Sequence, residues 1–477
     1  MSRARVPGMI QTTSSPPVRP AIPPALLRTL DGPGPRYTSY PTADRFIATF
    51  GADDYAQALA ARRSGPAASA PISLYVHIPF CASLCYYCAC NKVVTRHHEQ
   101  AGPYLDALER EIALQADLLG ARPAVSQLHL GGGTPTFLSD PELERLMRSL
   151  GAAFDVGDDA EVSIEVDPRT VDGARLARLR ALGFNRLSFG VQDFDADVQR
   201  AVHRIQPEEQ VRSLLEAARA LGFASTNVDL IYGLPKQTPA SFARTLEQVR
   251  ALRPDRIALY AYAHLPQRFK PQRRILSADL PTGEARLSML AAAIAGFADE
   301  GYEYVGMDHF ALPDDALAIA KREGRLHRNF QGYSTQPDCD LVALGVSAIG
   351  KVGATYSQNA KTLPEYYAAL ESGRLPIVRG LALDADDELR RAAIMAIMCQ
   401  GRLDFARIAA EHGVDPRVAF TDELAALAPL EANGLVVRSA DAVQVTALGW
   451  YFVRSIAMVF DRYLRGDANR DRYSRVV

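Results

Sequence analysis

Cysteine is scarce, at six in 477 residues, and four of the six fall within ten positions. Only Cys339 and Cys399 lie elsewhere, too few for a disulfide framework, and the amino-terminal stretch has no apolar segment long enough for secretion. A reducing cytoplasm is the expected compartment. Net charge is nearly absent, at −2, which gives no bulk attraction to nucleic acid or to an anionic membrane. Long apolar runs are missing as well. No stretch reaches the roughly eighteen residues that a spanning helix needs. What remains is an ordinary globular composition, 48% hydrophobic and 23% charged. The chain is long for a single core, so two structured domains plus tails are expected.

The cysteines carry the clearest chemistry. Cys81, Cys85 and Cys88 follow a C-x3-C-x2-C spacing directly after a strand-like run from Ile72 to Phe80. Such a loop can hold three irons of a [4Fe-4S] cluster by thiolate and leave the fourth iron open for a substrate or cofactor. Zinc usually takes ligands as two separated pairs, and no second C-x2-C or His pair follows. Disulfides are the blander alternative. Cys90, two residues past Cys88, is poorly placed to reach the open iron and reads otherwise as a small buried thiol.

Along the chain, prolines at 16, 17, 20, 23, 24, 33 and 35 predict that neither helix nor strand persists over residues 1 to about 35. From Ser73 short β-branched runs alternate with amphipathic stretches: LYVHIPF, SQLHLGGGT, VSIEVDP, RLSFGVQDF, TNVDLIYGLP, RIALYAYAH and YEYVGMDHF, with YLDALEREIALQADLLG and ELERLMRSLGAAF as helices between them. This alternation predicts an α/β fold with a parallel sheet curled into a barrel or part of one. The cysteines, GGGT, Glu165 with Asp167, Gln192 with Asp193, Asp229 and His264 all fall at or past strand ends, where a β/α barrel builds its sites. Beyond about Leu381, helices and a hairpin, LVVRSADAVQVTALG, resemble a winged-helix module. Weak basicity argues against DNA binding there, and a small helical domain against the barrel mouth is expected.

LYVHIPFCASLCYYCACNK, with RYTSYPTA from Arg36, GGGTPTFL from Gly131, VQDFD from Val191, VHRIQP from Val202, DLIYGLP from Asp229, GMDHF from Gly306 and HRNFQGYSTQ from His327, resembles the oxygen-independent coproporphyrinogen III oxidase (coproporphyrinogen dehydrogenase) family of the radical S-adenosylmethionine (SAM) superfamily. The resemblance runs from about Gly34 to the carboxyl end. It implies a partial (β/α)6 barrel with a mainly helical, winged-helix-like carboxyl domain, divided as a flexible tail (1–33), an arm packing on the barrel (34–70), the barrel and its extension (71–375) and the helical domain (376–477). It implies Cys81, Cys85 and Cys88 as ligands of a [4Fe-4S] cluster that reductively cleaves SAM. Tyr75, Gly132, Glu165 and Ile349 would contact a first SAM. Tyr87, Gly133, Thr134, Gln192, Arg204, Asp229 and Ala263 would contact a second. Ala89 stands where the family usually has glycine, a change that matters only if its backbone needs φ > 0.

The implied reaction removes a hydrogen from the ring A and B propionates of coproporphyrinogen III, then CO2 and an electron to an unknown acceptor. This would leave the vinyl groups of protoporphyrinogen IX. Cationic anchors for the propionates are expected among Arg36, Arg268, Lys270, His327 and Arg328, with Tyr37 and Tyr40 packing on the macrocycle or the barrel. Strand alternation puts His77 on the side of Tyr75, which suggests that it tunes the cluster by a hydrogen bond to a cluster sulfur; Cys90 is a second candidate for such a role. A flavodoxin- or ferredoxin-type electron donor, no nucleic-acid or membrane partner and a monomeric state complete the expectations.

Overall fold

The computed structural model of the chain describes residues 22–120, 122–467 and 473–475. Six parallel strands follow from the alternating runs: β1 (Ile72–Ile78), β2 (Ala124–Gly132), β3 (Asp155–Val166), β4 (Arg186–Gln192), β5 (Ser225–Tyr232) and β6 (Arg256–Ala261). Their outward residues, among them Leu74, Val76, Leu130, Ile164, Phe189, Val228 and Leu259, are buried beneath helices. Inward residues are polar: Gln127, His129, Ser163, Glu165, Ser188, Asn227 and Asp229 line a narrow lumen of about 150 Å³. A period of two along each strand sorts apolar from polar in this way. Register then sets neighbours side by side, Tyr75 with His129, Glu165 with Ser188, Ser188 with Asn227.

The crossover helices supply the apolar cover. The helix Asp140–Ala153 shows how the sequence starts one: Ser139 caps it, the Ser139 N–H donating to Glu142 Oε2 at 2.8 Å, and Leu143, Leu146 and Leu150 form the buried stripe. Among the described residues no helix is long and apolar enough to cross a membrane.

The sheet continues on both sides. A hairpin of β7 (Glu303–Gly306) and β8 (His309–Ala311) adds antiparallel to β6. On the other edge β9 (Asp340–Leu344) runs parallel to β1, followed by antiparallel β10 (Ile349–Val352), β11 (Thr355–Asn359) and β12 (Ile377–Ala382), giving twelve strands in all. The HRNFQGYSTQ stretch forms a separate hairpin, His327–Asn329 against Gly332–Ser334.

Several expectations are corrected. Within the proline-rich segment a helix forms at Pro24–Leu30; its prolines sit at the start, where a missing N–H costs nothing, and Leu27 is buried. Residues 1–21 of the expected flexible tail lie outside the described residues. YEYVGMDHF is a hairpin rather than one strand, because Met307 turns the chain with a φ of +49°. The large sheet runs on through Ala382, past the boundary expected at 375. The carboxyl region holds the helices Ala385–Met395 and Phe405–His412 and a three-stranded sheet of Arg402–Asp404, Ala442–Val445 and Val436–Arg438. It packs on β7, β8 and the 327–334 hairpin instead of the barrel mouth. One apolar core joins Val305, Ala311, Leu326 and Tyr333 to Leu389, Ile397, Phe452 and Ile456. Tyr37 and Tyr40 belong to this same core, Tyr37 Oη donating to Asp461 Oδ2 at 2.9 Å, so they anchor the arm to the carboxyl region.

Candidate active site

Past the end of β1 the chain makes a loop that places Cys81, Cys85, Cys88 and Cys90 around one mouth of the barrel, facing a cavity of about 420 Å³. All are free thiols. The cavity also gathers Tyr87, Gly132, Gly133, Thr134, Glu165, Gln192, Arg204 and Asp229, so most of the residues singled out in the sequence meet here. Among the described residues no three His, Cys, Asp or Glu side chains converge on a single-ion site. Thiolates of a cubane bind separate irons, so cluster ligands need not converge on one point.

Donors surround the sulfurs. Thr134 Oγ1 donates to Cys81 Sγ (3.5 Å), and Arg204 Nη1 (3.5 Å) and Arg169 Nη2 (3.7 Å) donate to Cys85 Sγ. Hydrogen bonding from Cys90 and the charge of Lys92 pull the Cys88 thiol down, while Cys90 itself is pushed up by Cys88. Burial pushes the Cys81 thiol up to about 11. This donor set fits a group that is anionic at sulfur. Ala89 does not have a positive φ, so its methyl group is compatible with the loop.

Two carboxylates face the cavity in different settings. Although burial pushes the Glu165 carboxyl up, His129 and the Gly132 N–H, which donates to Glu165 Oε2 at 3.0 Å, hold it below the usual range. Asp229 is pushed up to about 7 by burial and by the charge of Glu165, despite hydrogen bonds from Asn227 Nδ2 (2.8 Å) and Ser188 Oγ (3.2 Å). Arg204, buried, bridges Asp167 (3.2 Å) and the Gly190 carbonyl (2.6 Å). Gln192 is held at a φ of +69° where β4 bulges against β5.

Other expected residues lie apart. Tyr75 stacks on His129 with centroids 6.0 Å apart, behind Glu165. His77 has both ring nitrogens engaged, Nδ1 with Tyr75 Oη (3.0 Å) and Nε2 with the Asn91 carbonyl (2.9 Å), which leaves none for a cluster sulfur. It supports Tyr75 and the loop instead. Ile349 begins β10, inside the sheet between β9 and β11, where it pairs with Gln358, and it is not among the residues that line the cavity. Ala263 is tied in indirectly: Gln272 Nε2 donates to both the Ala263 (3.1 Å) and the Tyr87 (2.9 Å) carbonyls. Arg36 pairs with Asp308 and stands 5.1 Å over the ring of Tyr260, which lines the cavity. Arg268 and Lys270 are exposed, and His327 and Arg328 line a different cavity. Sequence reasoning missed His129, Arg169, Tyr260 and Gln272. Of these only His129 left a signal, as the inward member of the Gln127–His129–Gly131 alternation.

The chain from 75 to 249 matches the radical SAM superfamily, and residues 383–452 match the HemN C-terminal domain. It is 51% identical over 454 residues to the oxygen-independent coproporphyrinogen III oxidase of Pseudomonas aeruginosa, covering 95% of this chain and 98% of that protein. The chain belongs to the oxygen-independent coproporphyrinogen III oxidase family. The enzyme of the same name from Escherichia coli is likewise 51% identical, over 95% of this chain and 98% of its own length. The solved structure of the coproporphyrinogen III oxidase from Escherichia coli, described as a radical SAM enzyme, superposes with a TM-score of 0.88 at 50% identity, over 93% of this chain and 100% of that one. A [4Fe-4S] cluster and SAM are the cofactors of this family.

Proposed function

We propose that the chain catalyses oxidative decarboxylation of the ring A and B propionates of coproporphyrinogen III to vinyl groups, giving protoporphyrinogen IX. The observation that carries this reading is the three-cysteine loop opening onto a cavity also lined by Glu165 of β3, Asp229 of β5 and Arg204 from the loop after the helix Ala196–Ala201. A cluster held there would supply the electron for reductive cleavage of SAM; the radical so formed would take a hydrogen from the propionate β-carbon, and loss of CO2 with one electron passed to an acceptor would leave the vinyl group.

Cys81, Cys85 and Cys88 would be its ligands, with Thr134, Arg169 and Arg204 donating to their sulfurs. Glu165, kept ionised, would accept hydrogen bonds from hydroxyl groups or pair with the sulfonium of a first SAM, and the backbone of Gly132 and Gly133 borders the same space. Asp229, held by Asn227 and Ser188, would be the acceptor for a second SAM, with Tyr87, Gln192 and Arg204 lining the same cavity. Tyr75 acts through His129 on Glu165. Arg36, steadied by Asp308 on the Tyr260 ring, is our choice for a propionate contact at the cavity. A flavodoxin- or ferredoxin-type donor, a cytoplasmic location and a monomer are part of the same proposal.

Anaerobic enzyme with a rebuilt cluster, SAM, reductant and coproporphyrinogen III should yield products that have lost one and then two CO2, seen by mass spectrometry. The same mixture with Cys85→Ala should yield neither those products nor 5′-deoxyadenosine. SAM cleavage without loss of CO2 would contradict the assignment.

A further inference from the structure

A second cavity, of about 630 Å³, lies between the sheet and the carboxyl region. Its Asp338 and Lys351 stand where β9 begins, Lys351 opposite Leu341, and β9 runs parallel to β1. The cavity is therefore at the opposite end of the strands from the cysteine loop, the end where a β/α barrel does not build its catalytic site.

Its charge is out of balance. Arg328, Lys351 and Arg391 all face it, with Asp338 as the one carboxylate among them, at 2.7 Å from Arg391 and 3.7 Å from Lys351. Arg328 is 5% exposed and has no carboxylate partner among the described residues. Its Nε donates to the Arg36 carbonyl at 3.3 Å, its guanidinium lies 4.7 Å over the Tyr333 ring, and its buried Nη1 has no hydrogen-bond partner. The remaining charges nearly cancel: Arg402 pairs with Asp404 (3.3 Å) and Arg407 with Glu411 (2.8 Å), and Glu388 is exposed. A buried guanidinium without a counterion calls for an anion. Leu326, Met395 and Ile408 form apolar wall between the cations, so the anion that fits has an apolar body.

We infer that this cavity is a second binding site, separate from the site of the reaction, for a tetrapyrrole bearing propionates. Arg328, Lys351 and Arg391 would hold its carboxylates and the apolar wall its ring edge. The choice of tetrapyrrole rests on the proposed function; the excess of buried cation does not.

The probe is coproporphyrin III, the fully conjugated form, titrated by fluorescence into cluster-loaded enzyme with SAM present. The expected result is two porphyrins bound per chain. Lys351→Met should weaken one of the two by about tenfold or more and leave turnover of coproporphyrinogen III unchanged. Arg328→Met should weaken the same equivalent, which guards against a folding defect in either variant. One porphyrin per chain with turnover intact would overturn the inference alone. Displacement of the second porphyrin by inorganic phosphate at concentrations that do not affect turnover would also overturn it, as marking a general anion site. Two bound porphyrins without turnover would overturn the proposed function and support the cavity.

Discussion

A methyl group on Gly132 would sit 2.5 Å from the His77 ring, at a φ of +115° that side chains rarely adopt. Gly132→Ala should therefore weaken SAM binding, read by calorimetric titration, and lower the melting temperature. Gly151→Ala, with nothing near its added carbon, should do neither. Asp229 offers a test by pH. Because burial and the charge of Glu165 push it up to about 7, it gains a proton as pH falls through neutrality and ceases to be a pure acceptor. SAM affinity should fall below pH 7 and be flat over that range in Asp229→Asn; equal pH dependence in the two proteins would remove Asp229 from the SAM site. These residue-level features were only half legible. The cysteines and Glu165 announce themselves by type and position. The engagement of both His77 nitrogens depends on Asn91, fourteen residues on, and nothing in the spacing shows it.

Between elements, Glu111 on the helix Ala101–Leu119 joins three others. It accepts from the Gly345 N–H (2.7 Å) at the end of β9, from Asn359 Nδ2 (2.7 Å) on β11 and from Tyr366 Oη (2.6 Å) on the helix Leu363–Glu371. Burial pushes its carboxyl from the ordinary 4.5 up to about 7. The folded chain thus holds this proton between those values where the unfolded chain does not. The stability it gives is complete at low pH and is lost as pH rises through 7, a fall on the order of 3 kcal/mol. Denaturant titrations at pH 5.5 and 8 should show the part of this loss that falls above pH 5.5, about 2 kcal/mol, and Glu111→Gln should reduce it; an unreduced slope would place its source elsewhere. The six barrel strands were legible because inward and outward residues alternate so plainly. The β7–β8 hairpin was not, since its turn is made by Met307 at a positive φ, a residue with no turn preference.

Over the whole molecule, the carboxyl region looks separate in sequence and is continuous in packing. Trp450 Nε1 donates to the Val305 carbonyl (2.7 Å), Tyr333 Oη to the Met398 carbonyl (2.9 Å), and the apolar core spans both parts. A change of composition near Leu381 marks a change of element type, and composition cannot report which surfaces share a core. Calorimetry should accordingly show one cooperative transition for barrel and carboxyl region together; two well-resolved transitions would contradict the shared core. At the same scale, the barrel mouth as proposed above directs a radical from SAM to a propionate β-carbon. The most direct test is coproporphyrinogen III carrying deuterium at the propionate β-positions. Deuterium is expected in the 5′-deoxyadenosine formed by the anaerobic enzyme. Vinyl product formed with unlabelled 5′-deoxyadenosine would contradict it.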